Sequence, residues 1–416
     1  MFNQLELKLK QSLLSIGEFF KTDIRYVIRQ GSWLLGGEMI NNILSIALIV
    51  AFANLISPTT YGIYKYILSI YGIFALFGLS GAGPAIIKSV AEGNEGIFKP
   101  ALITQMKWSL LGSLSTLLFA LYYFYQGNDI FGYCFIIATI ALPFFESQNT
   151  YQHILAGKQR FDLQTKYYSG TRIISALSLI LALFLTKNIL IILSAYFFPY
   201  IISNIIFGYL ALKQVELNNN FDPNALSYMK HLSLISVISF TVNYLDGIII
   251  FQLLGPIQLA IFSIASAPVG RLQSLFGIIP EISLPKYTER PIEEIKEAII
   301  NKILKSIPVC AILVGIYIAI VPIFFKIFLP QYSNAILFAQ LLALPFIFYP
   351  VVLFSRVLLA KGATQYIYKS NIIESISQLI TMTLGIYYFG LIGAIVARIL
   401  MFFIGHSIIY YYFRKL

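Results

Sequence analysis

Twelve apolar segments of about 20 residues each follow one another along the chain, and each is long enough to cross a bilayer. The chain is 58% hydrophobic and 11% charged, whereas soluble domains carry about 25% charged residues. We therefore predict an all-α polytopic membrane protein, and we exclude an outer-membrane barrel because its strands would alternate apolar and polar residues. The predicted spans are 33–56, 61–81, 103–125, 130–153, 168–186, 188–211, 232–254, 257–279, 299–322, 335–358, 367–386 and 389–412.

The basic residues predict how the chain is oriented. Of the 29 Lys and Arg residues, 25 lie in or beside the segments that are inside if the N-terminus is inside, and only Lys65, Lys187 and Lys326 lie in outer turns. Loops rich in Lys and Arg stay in the cytoplasm. This predicts a multi-pass protein with both termini cytoplasmic. It also assigns the net charge of +11 to membrane orientation and not to nucleic-acid binding.

The two halves of the chain resemble each other. Residues 54–64 align with 252–262, and the tetrapeptide "ALPF" occurs at 141–144 and again at 343–346. Six spans per half give both copies the same orientation, a parallel repeat that is common in transporters. We predict two six-helix lobes, in four segments: an amphipathic cytoplasmic segment 1–29, an N-lobe 30–212, a cytoplasmic linker 213–231 and a C-lobe 232–416. The amphipathic pattern of residues 1–29 fits two alternatives: a helix on the membrane surface, or a helix packed on the protein's own loops.

Polar residues form stripes inside several apolar spans. Buried polar groups at this depth must face protein or water, so the stripes predict a hydrated cavity between the lobes. Serines and threonines favour hydrogen bonding between helices, whereas carboxylates are candidates for ion coupling. The candidate coupling residues are Glu38, Asp246 and Glu374. The candidate sugar contacts are Tyr196, Tyr200, Asn41, Asn42 and Asn243.

Two arginines lie deep in predicted spans. Arg271 is in span 8 and Arg398 is in span 12. A buried cation is costly, so it has a partner or a function. For Arg398 we weigh an anionic ligand against a salt bridge to a neighbouring carboxylate. Lys107, Arg172 and Arg356 lie near inner span ends and are either cavity-entrance cations or residues that snorkel to lipid phosphates.

The remaining chemistry is sparse. Cys134 and Cys310 lie within apolar segments and predict neither a disulfide nor a metal site. The three histidines lack ligand spacing, and there is no nucleotide-binding loop. We expect no cofactor and no metal.

Two stretches resemble a known family. They are "FANLISPTTYGIYKYILSIYGIFALFGLSGAGPAIIKS" (52–89) and its repeat counterpart "YLDGIIIFQLLGPIQLAIFSIASAP" (244–268). Together with the duplicated twelve-span layout they resemble the polysaccharide-transport family of Wzx-type oligosaccharide flippases. That family lies in the MOP superfamily, with the MATE exporters and the lipid II flippase. The second stretch departs from the usual pattern after "LGP", which leaves the substrate open.

The resemblance implies a flippase for undecaprenyl-diphosphate-linked oligosaccharides in the bacterial inner membrane, serving O-antigen, capsule or exopolysaccharide assembly. It implies two lobes in a V around a cationic cavity that opens alternately to each side. Arg271 and Arg398 would bind the diphosphate. Membrane lipids and polysaccharide polymerase or assembly proteins are the implied partners.

Two other classes compete with this interpretation. A MATE-like exporter of small molecules would use the same fold, but a cationic cavity would repel cationic cargo. A membrane enzyme acting on polyprenyl-linked sugars usually needs a large outer loop, and the outer turns here are short. A scaffolding protein would leave the buried charges without a role. We therefore predict a secondary transporter and not an enzyme.

Overall fold

The computed structural model describes residues 24–289 and 291–416, and for some residues within helices it describes the backbone alone. Every regular element among these residues is helical. The helices are α1 (Ile24–Leu55), α2 (Pro58–Ala75), α3 (Ala82–Ala91), α4 (Phe98–Tyr125), α5 (Asp129–Phe145), α6 (Thr150–Gly157), α7 (Phe161–Leu185), α8 (Ile189–Leu212), α9 (Asn224–Leu254), α10 (Pro256–Glu289), α11 (Ile292–Phe328), α12 (Ile336–Ala343), α13 (Leu353–Ala360) and α14 (Thr364–Arg414). Of the predicted amphipathic segment, residues 1–23 lie outside the described residues and 24–29 begin α1.

Side-chain caps explain why several spans begin where the sequence predicts turns. Ser57 accepts a hydrogen bond from the backbone N–H of Thr60 (3.2 Å) and so caps α2. Pro58 occupies the first helical position, where its missing N–H costs nothing. Asn188 caps α8, accepting from the backbone N–H of Leu190 (2.9 Å). These predicted outer turns are therefore also helix starts.

The structure confirms the predicted twelve-span fold. Nine helical stretches of the described residues are long and apolar enough to cross a membrane. One of them, α14, crosses twice, because Gly390 has φ 58° and ψ −139° and reverses the chain. Gly385 and Gly393 then meet across the resulting hairpin. Helices α9 and α10, of 31 and 34 residues, are long enough for the remaining two crossings.

The two halves of the chain pack closely at the end that carries the turns before α2 and α10. A Cβ on Gly62 would overlap the backbone carbonyl of Pro256, so a side chain there would separate the helices. Tyr66 stacks on Phe251 with ring centroids 3.9 Å apart. The Tyr66 hydroxyl accepts a hydrogen bond from Gln252 Nε2 (2.8 Å). We call this contact, formed by these five residues, the closed end.

The segment between the halves is tied to the first half of the chain. The Glu95 carboxylate forms an ion pair with Lys158 Nζ (2.5 Å) and accepts from the backbone N–H of Asn218 (2.7 Å). The backbone N–H of Gly96 donates to the Asn220 carbonyl (2.9 Å). These bonds hold the start of the linker against the loops before α4 and α7.

Helix α9 begins at Asn224, inside the predicted linker 213–231. The non-helical part is therefore residues 213–223. The lobe boundaries themselves stay a prediction.

Removing the Glu95 carboxylate should loosen this attachment. Glu95→Ala leaves Lys158 without its partner, and the pair is largely buried, with side chains 10% and 29% exposed. We expect a loss of about 2 kcal/mol in the free energy of unfolding, measured by thermal unfolding in detergent. Glu92→Ala is the matched control, because its pair with Lys88 is exposed and should contribute less than about 1 kcal/mol. Equal losses of unfolding free energy in the two variants would show that the bonds of Glu95 do not hold the linker.

Orientation stays a prediction, and cysteine labelling tests it. Gln126→Cys, in the turn between α4 and α5, should react with a membrane-impermeant thiol reagent added to intact cells. Asn219→Cys should react only after the cells are permeabilised. The native Cys134 and Cys310 are both buried and should add little background. The opposite labelling pattern would reverse the predicted orientation.

Candidate functional site

Two neighbouring chambers form a central cavity between the halves of the chain. Chamber A, of about 430 Å³, lies mainly among α1, α2, α5, α7 and α8. Chamber B, of about 530 Å³, lies between α2, α5 and α8 on one side and α9, α10 and α14 on the other. They are adjacent, because both are lined by Lys65, Phe145, Tyr196, Ala267 and Arg271.

Aromatic rings form one wall of chamber A. Phe145 is stacked with Tyr200 and Tyr196, at centroid distances of 4.3 and 5.7 Å. The Arg172 guanidinium lies over the Tyr200 ring (5.4 Å) and donates to the Tyr168 hydroxyl (2.7 Å). The predicted sugar contacts Tyr196 and Tyr200 and the predicted entrance cation Arg172 therefore line one chamber.

The polar stripe of α1 faces the same chamber. Glu38 and Asn41 line it directly. Asn42 lies beside them, and its Oδ1 accepts a hydrogen bond from Arg271 Nη1 (3.0 Å) on α10. The side chain of Asn243 on α9 lies outside what the structure describes.

Arg271 lies where chambers A and B meet. Its Nη1 is bonded to Asn42, and its Nε is buried without a hydrogen-bond partner among the described residues. Lys65 of α2 also lines both chambers. A guanidinium carries five N–H donors in a planar fork, which matches carboxylate or phosphate oxygens. This junction is therefore suited to an anionic ligand.

Arg398 lines chamber B but is already paired. Its Nε and Nη2 lie 2.8 and 2.6 Å from Oδ2 of Asp246. Gln378 Nε2 also donates to this carboxylate (3.2 Å to Oδ1). The Asp246 side chain is 3% exposed and that of Arg398 is 35% exposed. The salt bridge that the sequence analysis weighed against an anionic ligand is thus present. It joins Arg398, predicted to bind the diphosphate, to Asp246, predicted to couple ions.

Three predicted site residues lie away from both chambers in the part of the chain that the structure describes. Lys107 is exposed on α4, and Arg356 lies on α13. Glu374 packs inside the α14 hairpin, where Gly405 leaves room for its carboxylate. These three residues do not contribute to the cavity lining in this conformation.

Two charged lining residues were not among the predicted site residues. The count of basic residues groups Lys65 with an outer turn, although it falls at the start of predicted span 61–81; in the structure it lies two turns inside α2 and lines the cavity. Glu146 directly follows α5 and lines chamber B. Both are ionisable residues inside predicted apolar spans, and each directly follows an aromatic residue. The criterion that selected Glu38 would have found them.

The cavity is less cationic than the family resemblance implies. Positive and negative side chains nearly balance across chambers A and B. The charged lining residues are Lys65, Arg172, Arg271 and Arg398, against Glu38, Glu146 and Asp246. Among these charged residues, Arg271 and Lys65 line both chambers.

The fold is similar to that of several solved membrane transporters. An inward-facing multidrug resistance MATE family transporter is similar over 90% of this chain and 94% of its own, with 14% identity and a TM-score of 0.63. The lipid II flippase MurJ, in an inward closed conformation, is similar over 93% and 87%, with 15% identity and a TM-score of 0.67. An outward-facing MATE family transporter matches over 94% and 95%, with 12% identity and a TM-score of 0.62.

The sequence itself identifies the family. The pattern of the family described as "Polysaccharide biosynthesis protein" matches residues 27–285, more than half of the chain. The chain belongs to that family, which confirms the resemblance seen in the sequence. No curated protein sequence matches the chain significantly.

Proposed function

We propose that the protein is a flippase that moves polyprenyl-diphosphate-linked oligosaccharides across the membrane by alternating access. The observation that carries this proposal is a pair of adjacent chambers that place two shared cations, Arg271 and Lys65, beside an aromatic wall, in a polysaccharide biosynthesis protein. The polar head of such a lipid cannot cross hydrocarbon unaided, whereas its tail need not leave it. We further propose an undecaprenyl carrier in a bacterial inner membrane, and a glycan destined for O-antigen, capsule or exopolysaccharide.

The diphosphate would bind at the junction of the chambers. Arg271 supplies a planar fork of donors, and Lys65 adds a second positive charge. Asn42 holds the Arg271 guanidinium toward α1, so it acts as a positioning residue. Arg398 would join this site only when its pair with Asp246 opens.

The sugars would lie in chamber A. The stacked rings of Tyr196, Tyr200 and Phe145 would form the apolar wall, and the two tyrosines carry a hydroxyl group at the ring edge. Asn41 and Glu38 line the same chamber and can accept or donate hydrogen bonds to sugar hydroxyls. Binding sites that combine apolar walls with a few placed polar groups are typical for small polar ligands.

The closed end supports an inward-facing state. With the predicted orientation, the Gly62–Pro256 contact faces outside, and we infer that the cargo enters from the cytoplasmic side. Release to the outer leaflet would require this contact to separate. Two conformations that each expose the site to one side satisfy the definition of alternating access.

Ligand binding to the purified protein tests the proposal. A polyprenyl-diphosphate-linked oligosaccharide at about ten times its Kd should raise the free energy of unfolding by about 1.4 kcal/mol. Polyprenyl monophosphate without sugars should stabilise the protein less at the same concentration. A small lipophilic cation tests the exporter alternative, which the MATE neighbours favour. Stabilisation by the cation alone would overturn the flippase proposal.

A further inference from the structure

Glu146 lies where chamber B meets a smaller polar chamber. Helix α5 ends at Phe145 and the 3₁₀ turn Ser147–Asn149 follows, so Glu146 occupies a break in the fourth span. It lines chamber B and also a chamber of about 210 Å³, which we call chamber C. Chamber C is also lined by Gln105 and His153. Its size and polar lining suit a few water molecules.

Glu146 is the carboxylate of chamber B whose charge is not balanced by an ion pair. Asp246 is paired with Arg398, whereas no residue that the structure describes forms an ion pair with Glu146. Its hydrogen bond comes from Asn149 Nδ2 (3.3 Å). An ionised carboxylate that loses its water without gaining a partner is strongly destabilising. Closure of chamber B around Glu146 is therefore opposed while this group is charged.

The groups that face Glu146 come from both halves of the chain. Tyr71, Tyr196 and Tyr244 line chamber B with Glu146. The Tyr200 hydroxyl donates to Asn149, which bonds Glu146, and the Arg172 guanidinium lies over the Tyr200 ring. The Tyr71 hydroxyl is buried without a hydrogen-bond partner among the described residues, so it is free to donate to an ionised carboxylate. The other charged or titratable groups of chambers B and C are Lys65, His153, Asp246, Arg271 and Arg398.

The arrangement favours a proton over a metal cation. Asn149 Oδ1 accepts hydrogen bonds from the Tyr200 hydroxyl (2.9 Å) and Gln152 Nε2 (3.4 Å), so its amide nitrogen faces Glu146. A donor beside the carboxylate suits an anion or a carboxylic acid and opposes a metal ion. Chamber C shares no lining residue with the aromatic chamber A.

We propose that Glu146 binds and releases a proton during the transport cycle, and that protonation allows the two halves to close around chamber B. Tyr244 of α9 packs against Gly72 of α2 and lines both chambers with Glu146. A movement of the second half therefore changes the surroundings of the carboxylate directly. The proposal rests on the proposed transport function, and it places ion coupling on a residue other than the three predicted carboxylates.

A conformational measurement without cargo tests this proposal. Spin labels on Thr59→Cys and Ile257→Cys report the closed end, because both positions are exposed and flank the Gly62–Pro256 contact. The parent protein carries alanine at the two native cysteines and is reconstituted in liposomes in acidic or alkaline buffer. We expect the label-to-label distance distribution to shift between the two buffers. Glu146→Gln should lose this shift and keep one distribution in both.

Two further variants keep the result interpretable. Glu146→Asp retains a carboxylate and should keep the shift, and Glu92→Gln removes an exposed carboxylate and should leave the shift unchanged. A shift that persists in Glu146→Gln overturns the proposal. So does a parent protein that responds to sodium ions and not to pH. This experiment contains no lipid-linked oligosaccharide, so its result does not depend on the proposed cargo. If the cargo proposal is wrong, the ligand-binding test fails while the pH-dependent shift remains.

Discussion

Arg271→Ala is expected to reduce transport of lipid-linked oligosaccharide by about 10- to 100-fold while the protein still folds and inserts. Arg271 supplies the guanidinium at the meeting point of the two chambers, and its Nε has no hydrogen-bond partner in the described part of the chain. Hydrogen bonds to charged groups contribute about 1.5–3 kcal/mol, and 1.4 kcal/mol corresponds to a factor of ten. The measurement is the initial rate of translocation in vesicles at matched protein content.

Two further variants show whether Arg271 binds the ligand or only stabilises the fold. Arg271→Lys keeps the charge but loses the planar fork, so transport should recover in part. Arg414→Ala removes an exposed arginine at the end of α14 and should transport normally. Normal transport by Arg271→Ala would show that the diphosphate does not bind at this junction.

Arg398→Ala should destabilise the fold more than Asp246→Asn. Removing Arg398 leaves the carboxylate of Asp246, only 3% exposed, with Gln378 as its remaining partner. Breaking a buried ion pair by removing one partner costs about 3–5 kcal/mol, and we expect the lower part of this range because Arg398 is 35% exposed. Asp246→Asn keeps an acceptor for Arg398 and should cost about 1 kcal/mol. Thermal unfolding of both variants in detergent measures the difference.

A double variant of Asp246 and Arg398 shows whether their ion pair is only structural or also takes part in transport. Asp246→Asn combined with Arg398→Gln removes both charges and should recover most of the stability, since no unpaired charge is left buried. If this variant also transports normally, the pair only holds α9 against α14. If it is stable and inactive, Arg398 takes part in cargo binding or in the conformational change.

The fold could be predicted from the sequence because span length and polarity are local properties. Apolar runs of sufficient length predicted the crossings, and the reversal at Gly390 lies between the last two predicted spans. The tight approach of Gly62 to Pro256 could not be predicted, because it depends on how two distant turns meet. The extension of α9 back to Asn224 was also missed, since polar residues there resemble a linker.

The sequence identifies candidate site residues one by one but not how they pair. The stripe of α1 and the tyrosines of α8 line the cavity, and their roles in binding stay predictions. Whether Arg398 faces a ligand or Asp246 depends on a contact across 152 positions of sequence, which no periodicity reveals. Lys65 was misassigned because position near a span end cannot separate a turn residue from one that faces inward.

Translocation by the purified protein is the most direct test of the central claim. Vesicles would contain a polyprenyl-diphosphate-linked oligosaccharide with a fluorescent sugar head, and a membrane-impermeant reductant added outside would quench it. Without protein, roughly half of the fluorescence should be protected, because the polar head cannot cross the hydrocarbon core. With the protein, nearly all of it should become accessible, and Arg271→Ala should slow this loss. The measurement is repeated in sealed vesicles that contain folded protein, with a proton gradient in each direction. If the protected fraction of the fluorescence stays at about half in both cases, the flippase proposal is contradicted.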